Sequence, residues 1–421
     1  MSVHLNLFFE EVLVGVLTED DQERLSFRYS RVWLEADSSF PISVTLKLED
    51  KNFDHIQTKS FFENLLPEGE VKNAIEKLSH KNVSDEFSFL KEFGVDCAGA
   101  FILSPLDHLK FKKEYNSKEI KLSTIYDYLR DKRPLSSTII NEDGGRFSLA
   151  GAQDKFPVIY KKKKLFIPLD GEPTTHILKP YVRYHQGTED SPYNEYFCMR
   201  LAKSIGLDVP KTILLDGEYP LYLVERFDRY IEDGKVKRIH QQDFCQAQGL
   251  TSRKKYEEDD GPTFAKNYKL IADNSSLPIK DLSKLLKWLF FNLLIGNNDC
   301  HSKNLSLLHT KEGLRLSPFY DILSTSIYKG LTSKFSYKIG GQVQWHKLKE
   351  RHFNLLAQEV GISVSTLYKV AMGIISKLER KLELEVLTFN TNFPNIETAE
   401  TIEKEIRKRI THLKRNIKEL S

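Results

Sequence analysis

Cysteine is scarce in this chain. Cys97, Cys198, Cys245 and Cys300 are the only four, and no two of them form a CxxC pair. That spacing speaks against a disulfide framework and against a zinc knuckle, and a reducing cytoplasm is the simplest setting. Net charge is nearly absent as well: 62 Lys and Arg against 59 Asp and Glu leave +3. Such a balance does not suggest a chain coated in nucleic acid, although a local basic face remains open. No apolar run is long enough for a bilayer. The longest, around residues 282–295, is interrupted by Lys284, Lys287 and Asn292, so no membrane partner is expected. The first residues carry Glu10 and Glu11 within an apolar stretch and lack a basic leader, which does not read as a signal peptide. Repeats, low-complexity runs and long linkers are also missing.

What is present is an ordinary globular composition, 40% hydrophobic and 29% charged, over 421 residues. That length accommodates two or three cores at about 100–200 residues per domain. Residues 1–50 alternate with period 2: Leu25, Phe27 and Tyr29 against Ser26, Arg28 and Ser30, then Ile42, Val44, Leu46 and Leu48. Residues 59–95 read as helices, with Ser84 as a cap, and residues 97–104 as a returning strand. FPVIY and LFIPL read as strands flanking Lys161–Lys164, a solvated hairpin turn. Asn194–Ile205 reads as a helix with Cys198, Leu201, Ala202 and Ile205 on one face. LYLVERFDR reads as a buried strand running into a connector. From about residue 240 the chain is mainly helical. Leu282, Leu285, Leu286, Leu289, Phe290, Leu293 and Leu294 make an unbroken helical stripe that Gly296 ends. The last helix buries Ile402, Ile406, Ile410, Leu413, Ile417 and Leu420 and turns Lys404, Arg407, Lys408, Arg415 and Lys418 to solvent. The division is therefore 1–105 (β-rich), 106–236 (β-rich lobe with one helix) and 237–421 (helical lobe), an α+β chain.

Chemistry concentrates in IGNNDCHSKNLSLL (295–308) and FYDILS. Asp299, Asn304 and Asp321 follow in the order that phosphoryl transfer uses, a carboxylate to orient a hydroxyl, then an amide and a second carboxylate for Mg²⁺. Oxygen-only ligands are what Mg²⁺ requires. A polar turn between a buried helix and a hairpin accounts for the triplet equally well, because Asp and Asn are common turn residues. GGRFSLAGAQDK (144–155) is small enough for backbone N–H groups to approach phosphates. It is neither GxxxxGK(S/T) nor GxGxxG, and a tight hairpin loop explains it too. Lys179, after the apolar run of THILKP, can reach phosphates with Glu195 holding it, although a strand lysine is usually a surface charge. Glu225, Arg226 and Phe227 lie where a hinge would offer backbone groups to a purine. Lys303 stands between base and metal ligand, where a cation steadies a transferring phosphoryl group. His301 has either a catalytic or a purely local packing role. Loop, lysine, hinge, base, amide and acid occur once each, in kinase order.

The residues FFENLLPEGE (61–70), DCAGAF (96–101), SLAGAQDK, THILKP, NEYFCMRLAKSIGL, LVERFDR, HQQDFCQ (240–246), NDCHSKN and LSPFYDI resemble the HipA-type serine/threonine kinase toxins over nearly the whole chain. The resemblance implies a divergent bilobal protein-kinase-like fold with an N-terminal β-rich subdomain and a mainly helical C-terminal lobe. It implies Asp299 as base, Asn304 and Asp321 as Mg²⁺ ligands, and Lys179 on the phosphates. It implies Ala150, Gly151, Ala152, Gln153, Asp154 and Lys155 as the phosphate loop, with Glu225–Phe227, His301 and Tyr320 at the ATP. Ser148 sits at the family's autophosphorylation position, where nearly two negative charges beside the ATP phosphates would be repelled. Implied partners are a HipB-type helix-turn-helix antitoxin, operator DNA through that complex, and an aminoacyl-tRNA synthetase substrate, typically the glutamyl enzyme. The chain departs from ordinary protein kinases at Asn298, where Arg would precede the base, and in lacking DFG. Two rival readings stay open: a small-molecule phosphotransferase on the same scaffold, and a catalytically silent corepressor. For the corepressor, 345–352 and the last helix would supply phosphate contacts with steep salt dependence.

Overall fold

The computed structural model of the chain describes residues 3–78, 85–109, 115, 117–136, 150–151, 153–169, 171–183 and 185–417. Strands β1 (Val3–Phe9), β2 (Val12–Glu19), β3 (Leu25–Tyr29) and β4 (Phe101–Ser104) form an antiparallel sheet of order β3-β2-β1-β4. In β3 the alternation holds, with Leu25, Phe27 and Tyr29 buried and Arg28 exposed. The second period-2 stretch, Ile42–Leu48, is not a strand. Its only ladder contact is a single bridge between Ser43 and Leu46. Side chains take its backbone donors instead: Ile42 N donates to the Tyr29 hydroxyl at 2.8 Å and Val44 N to Gln242 Oε1 at 3.0 Å. Helices His55–Phe62, Gly69–Leu78 and Glu86–Phe93 follow. The cap of the last of these is Asp85, in a reciprocal capping box with Ser88. Ser84 lies outside the described residues.

A second sheet has the order β5-β7-β6-β8-β10-β9. Its strands are β5 (Lys118–Ile120), β6 (Phe156–Lys161), β7 (Lys164–Ile167), β8 (His176–Lys179), β9 (Thr212–Leu215) and β10 (Leu221–Glu225). The lysine run is a solvated turn: Lys162 and Lys163 take φ of 49° and 60°, all four lysines are exposed, and β6 pairs directly with β7. Helix Ser191–Ser204 packs against the β9–β10 edge. Strand β10 has one face in each of two hydrophobic cores. Leu221 and Leu223 belong to the core that also holds the N-terminal sheet, while Tyr222 and Val224 belong to the core of the helical lobe. A hairpin, β11 (Arg229–Glu232) and β12 (Lys235–Arg238), leads to a small sheet of β13 (Gln241–Asp243), β14 (Ser306–Thr310) and β15 (Gly313–Leu316).

The helical lobe centres on Pro278–Ile295, which is flanked by Phe264–Asn274, Glu350–Glu359, Val364–Asn392 and Thr398–Asn416. Leu285, Leu289, Leu293 and Leu294 are buried along its stripe, and Leu282 packs at the edge. Gly296 closes it in the left-handed region at φ 75°, and a Cβ there would lie 2.0 Å from Ser326 Oγ. In the last helix Ile402, Ile406, Ile410 and Leu413 are buried and Lys404, Arg407, Lys408 and Arg415 are exposed. Arg409 is buried on its inner side, and Nη1 donates to the Leu293 carbonyl at 2.9 Å. Among the described residues no helix is long and apolar enough to cross a membrane.

Candidate active site

A cavity of about 510 Å³ opens where the second sheet, the helical lobe and the N-terminal domain meet. Lys179, at the end of β8, is 3% exposed, so its ammonium needs partners. Among the described residues two carboxylates serve it: Glu195 Oε1 at 2.8 Å, from the helix Ser191–Ser204, and that of Asp321. Burial would discharge Lys179, but Asp321 and Glu195 hold it firmly protonated. Burial likewise opposes charge on Asp321, yet Lys179 and Lys155 keep its carboxyl well below the usual range. Glu195 is pushed up to about 7 by burial, against the pull of Lys179. The two carboxylates thus share one ammonium, which bridges them. Asp321 also takes φ of 54°, a conformation that Asp tolerates better than most residues and that its neighbours must enforce.

The opposite wall is the loop after Gly296. Asn297 Nδ2 donates to Asn292 Oδ1 at 2.8 Å, and Asn297 Oδ1 accepts from Asp299 N at 3.1 Å. Asn304 Nδ2 donates to the Asp299 carbonyl at 2.9 Å. This fixes the Asn304 amide so that its oxygen is the end available to a cation. The Asp299 carboxylate is exposed at the cavity and accepts a hydrogen bond from the Tyr256 hydroxyl. Desolvation by the surrounding walls raises its carboxyl, with Tyr256 pulling the other way. Asn298 binds the segment beyond Asp321 through neutral contacts: its N–H donates to Thr325 Oγ1 at 2.8 Å and its Nδ2 to the Thr332 carbonyl at 2.9 Å. Asn298 thus ties the loop to Thr325 and Thr332 without a charge. His301 is pushed well below its ordinary range by burial and by Lys255 and Lys303, so it is neutral near pH 7. Among the described residues its buried Nδ1 has no hydrogen-bond partner, which leaves a polar atom for a ligand.

At the hinge, Glu225 N and Arg226 N already donate to Lys211 O and Thr175 O, both at 2.9 Å. The Phe227 ring stacks on Tyr320 at 5.1 Å and 26°. The Arg226 guanidinium turns into a buried cluster with Asp228, Asp96 and Arg229. Its side chain is a structural anchor beneath the cavity, not a base contact. Gly151 reaches φ 111°, and a Cβ there would lie 2.8 Å from Lys155 Nζ. Gln153 donates to the Pro180 carbonyl at 3.3 Å. Asp154 corrects the expectation made for it. Its carboxylate accepts from Leu135 N, Ser136 N and Ser136 Oγ at 2.7–3.1 Å, so it is tied to Leu135 and Ser136 and is not among the residues that line the cavity. Ser148 and Ala152 lie outside the described residues. Lys303 also sits differently from expectation. It reaches Asn64 Oδ1 at 2.5 Å, Asp243 Oδ2 at 3.2 Å and Glu68 Oε1 at 3.5 Å.

Spacing gave no warning of Asn64, Glu68, Asp243, Lys255 or Tyr256 in the cavity wall. Asn64 and Glu68 belong to FFENLLPEGE, and Lys255 and Tyr256 to a charged connector.

Residues 5–104 match the HipA N-terminal domain and residues 147–383 the HipA-like C-terminal domain. Y4mE of Sinorhizobium fredii, whose name is that of a kinase, is 36% identical over 369 residues, 86% of either chain. The serine/threonine-protein kinase toxin HipA of Shewanella oneidensis is 30% identical over 354 residues, covering 80% of this chain and 79% of that one. A solved structure of Shewanella oneidensis HipA with HipB and its operator DNA superposes with a TM-score of 0.83 at 25% identity, over 98% of this chain and 97% of that one. The backbone is accordingly a divergent kinase-like fold.

Proposed function

The chain belongs to the HipA family of kinase toxins, and from that premise we propose that it transfers the γ-phosphoryl group of ATP to a serine or threonine hydroxyl of a protein. One observation carries the reading: Lys179, bridging Glu195 and Asp321, faces Asp299 and Asn304 across a single cavity whose third wall is Phe227–Tyr320. In it, Asp299 accepts the hydroxyl proton and Lys179 contacts the phosphates. Asn304 and Asp321 would hold Mg²⁺; two oxygen donors suit a cation that usually takes its other ligands from phosphates and water. Mg²⁺ would neutralise the phosphates when bound. The Phe227 face and the orphaned His301 Nδ1 suit a nucleotide.

The biological reading is a toxin held by a HipB-type antitoxin and, through it, by operator DNA. An aminoacyl-tRNA synthetase of the glutamyl type is the substrate, and phosphorylation at Ser148 silences the kinase. The HipA–HipB–operator structure supports the partner part of this reading by similarity.

Purified protein with γ-labelled ATP and a panel of aminoacyl-tRNA synthetases tests it. Label should enter the chain itself and one synthetase, and chelation by EDTA should stop both. Intact ATP binding with no label anywhere sinks the proposal. Sugars and aminoglycosides in the same assay address the small-molecule alternative.

Gly151→Val places side-chain atoms against Lys155 Nζ in a left-handed backbone. Its ATP dissociation constant, by calorimetry, should rise about tenfold, the equivalent of ~1.4 kcal/mol, and backbone strain of about 1–3 kcal/mol should lower the melting temperature modestly. Unaltered affinity would remove the loop from the nucleotide site.

A further inference from the structure

The N-terminal domain reaches the cavity at Ala98 and along a short stretch, Glu63–Glu68, and that stretch touches three parts of the site at once. The first is the phosphate loop: Glu68 N donates to the Gly151 carbonyl at 3.0 Å, beside a bridge between Pro67 and Gly151. The second is Lys303, held by Asn64 Oδ1 at 2.5 Å. The third is the connector that ends at the base. Asn64 Nδ2 donates to Leu250 O at 2.8 Å, Ser252 Oγ to Glu63 Oε1 at 2.8 Å, and Lys255 Nζ to Glu68 Oε2 at 2.7 Å. One residue further, the Tyr256 hydroxyl binds Asp299, and the Tyr256 ring stands edge-on to His301 at 4.9 Å.

We propose that Glu68 is a positioning residue for phosphoryl transfer: its carboxylate holds Lys255, which places Tyr256 on Asp299, while its backbone N–H holds the phosphate loop. The N-terminal domain is then a working part of the kinase site, not an appended module. The geometry favours this over a purely structural tie. Surface ion pairs contribute little, whereas the Glu68–Lys255 pair has both side chains only 16% exposed and faces the cavity. Glu68 also stands 3.5 Å from Lys303, one residue before Asn304. Loss of the carboxylate leaves two lysines short of a partner beside the base.

The inference rests on the kinase reading, and its test separates the two. Self-labelling by the full chain with γ-labelled ATP is followed for wild type, Glu68→Gln, Glu68→Asp, Lys255→Ala and the double variant Glu68→Gln/Lys255→Ala. Small misplacements near the chemistry cost about 10–100-fold, so Glu68→Gln should lose that much in rate with half-saturating ATP within about threefold. Glu68→Asp should recover part of the rate, and the double variant should be no slower than the worse single one. Full wild-type rate in Glu68→Gln, or additive losses in the double variant, would overturn the proposal.

Hydrogen exchange over residues 250–260 gives a readout that needs no activity. Exchange should rise in Glu68→Gln and stay at the wild-type level in Asp299→Asn. If wild type binds ATP but transfers nothing, the kinase reading fails while this exchange comparison still decides the positioning: raised exchange supports it and unchanged exchange overturns it.

Discussion

Asp299→Asn is expected to lower phosphoryl transfer by about 10²–10⁴-fold, the usual contribution of a positioned general base, while ATP binds with nearly wild-type affinity. The loop geometry is the reason for the separation. Asn297 and Asn304 hold the Asp299 backbone, through its N–H and its carbonyl. The substitution changes only the side-chain end, where a neutral amide cannot take the hydroxyl proton. Intact-mass spectra after expression provide the measurement. A phosphate-sized gain in wild type, missing from Asp299→Asn, is the expected pair of results. Equal phosphate on both proteins would show that Asp299 is not the base.

Lys179→Met has the second large effect, on stability as well as activity. Breaking one side of a buried ion pair costs about 3–5 kcal/mol, because the surviving charge has no partner. Here two carboxylates, Glu195 and Asp321, would be left behind. Urea unfolding at neutral pH should register that loss. Asp321 is held below the unfolded carboxylate range, so its stabilisation is present above that range and disappears as pH falls through its lowered folded value. The gap between wild type and Lys179→Met should therefore narrow on acidification. The double variant Lys179→Met/Glu195→Gln should regain part of the stability at neutral pH, since fewer uncompensated charges remain, but none of the activity. A single variant as stable as wild type would mean that water already solvates the pair.

Local elements were readable from local rules. The stripe from Leu282 to Leu294 and its arrest at Gly296 follow from side-chain period and from the one residue that takes positive φ freely. The lysine turn follows from its flanking strands. Ile42–Leu48 misled because period 2 records burial, not pairing; Tyr29 and Gln242 satisfy its backbone from a distance. Asp154 misled for a related reason. A carboxylate beside a phosphate loop looks functional, but its partners Leu135 and Ser136 lie 18–19 residues earlier. Glu68 and Asn64 were illegible as site residues because their partners Lys255 and Lys303 are 187 and 239 residues away. No spacing rule spans such distances. The left-handed backbone of Asp321 has no sequence signature at all.

The buried Arg409 has a consequence for how the protein is made. Its guanidinium completes the last turn of the helix that leads into the Asp299 loop, yet it follows Leu293 by 116 positions. A ribosome adding about 5–20 residues per second needs roughly 6–23 s to cover that interval. Over the last 88 of those positions, from Asp321 to Arg409, the nascent chain carries every residue of the triplet but not the guanidinium that closes the turn beneath it. Closure of the turn beneath the site is thereby deferred until Arg409 has been made.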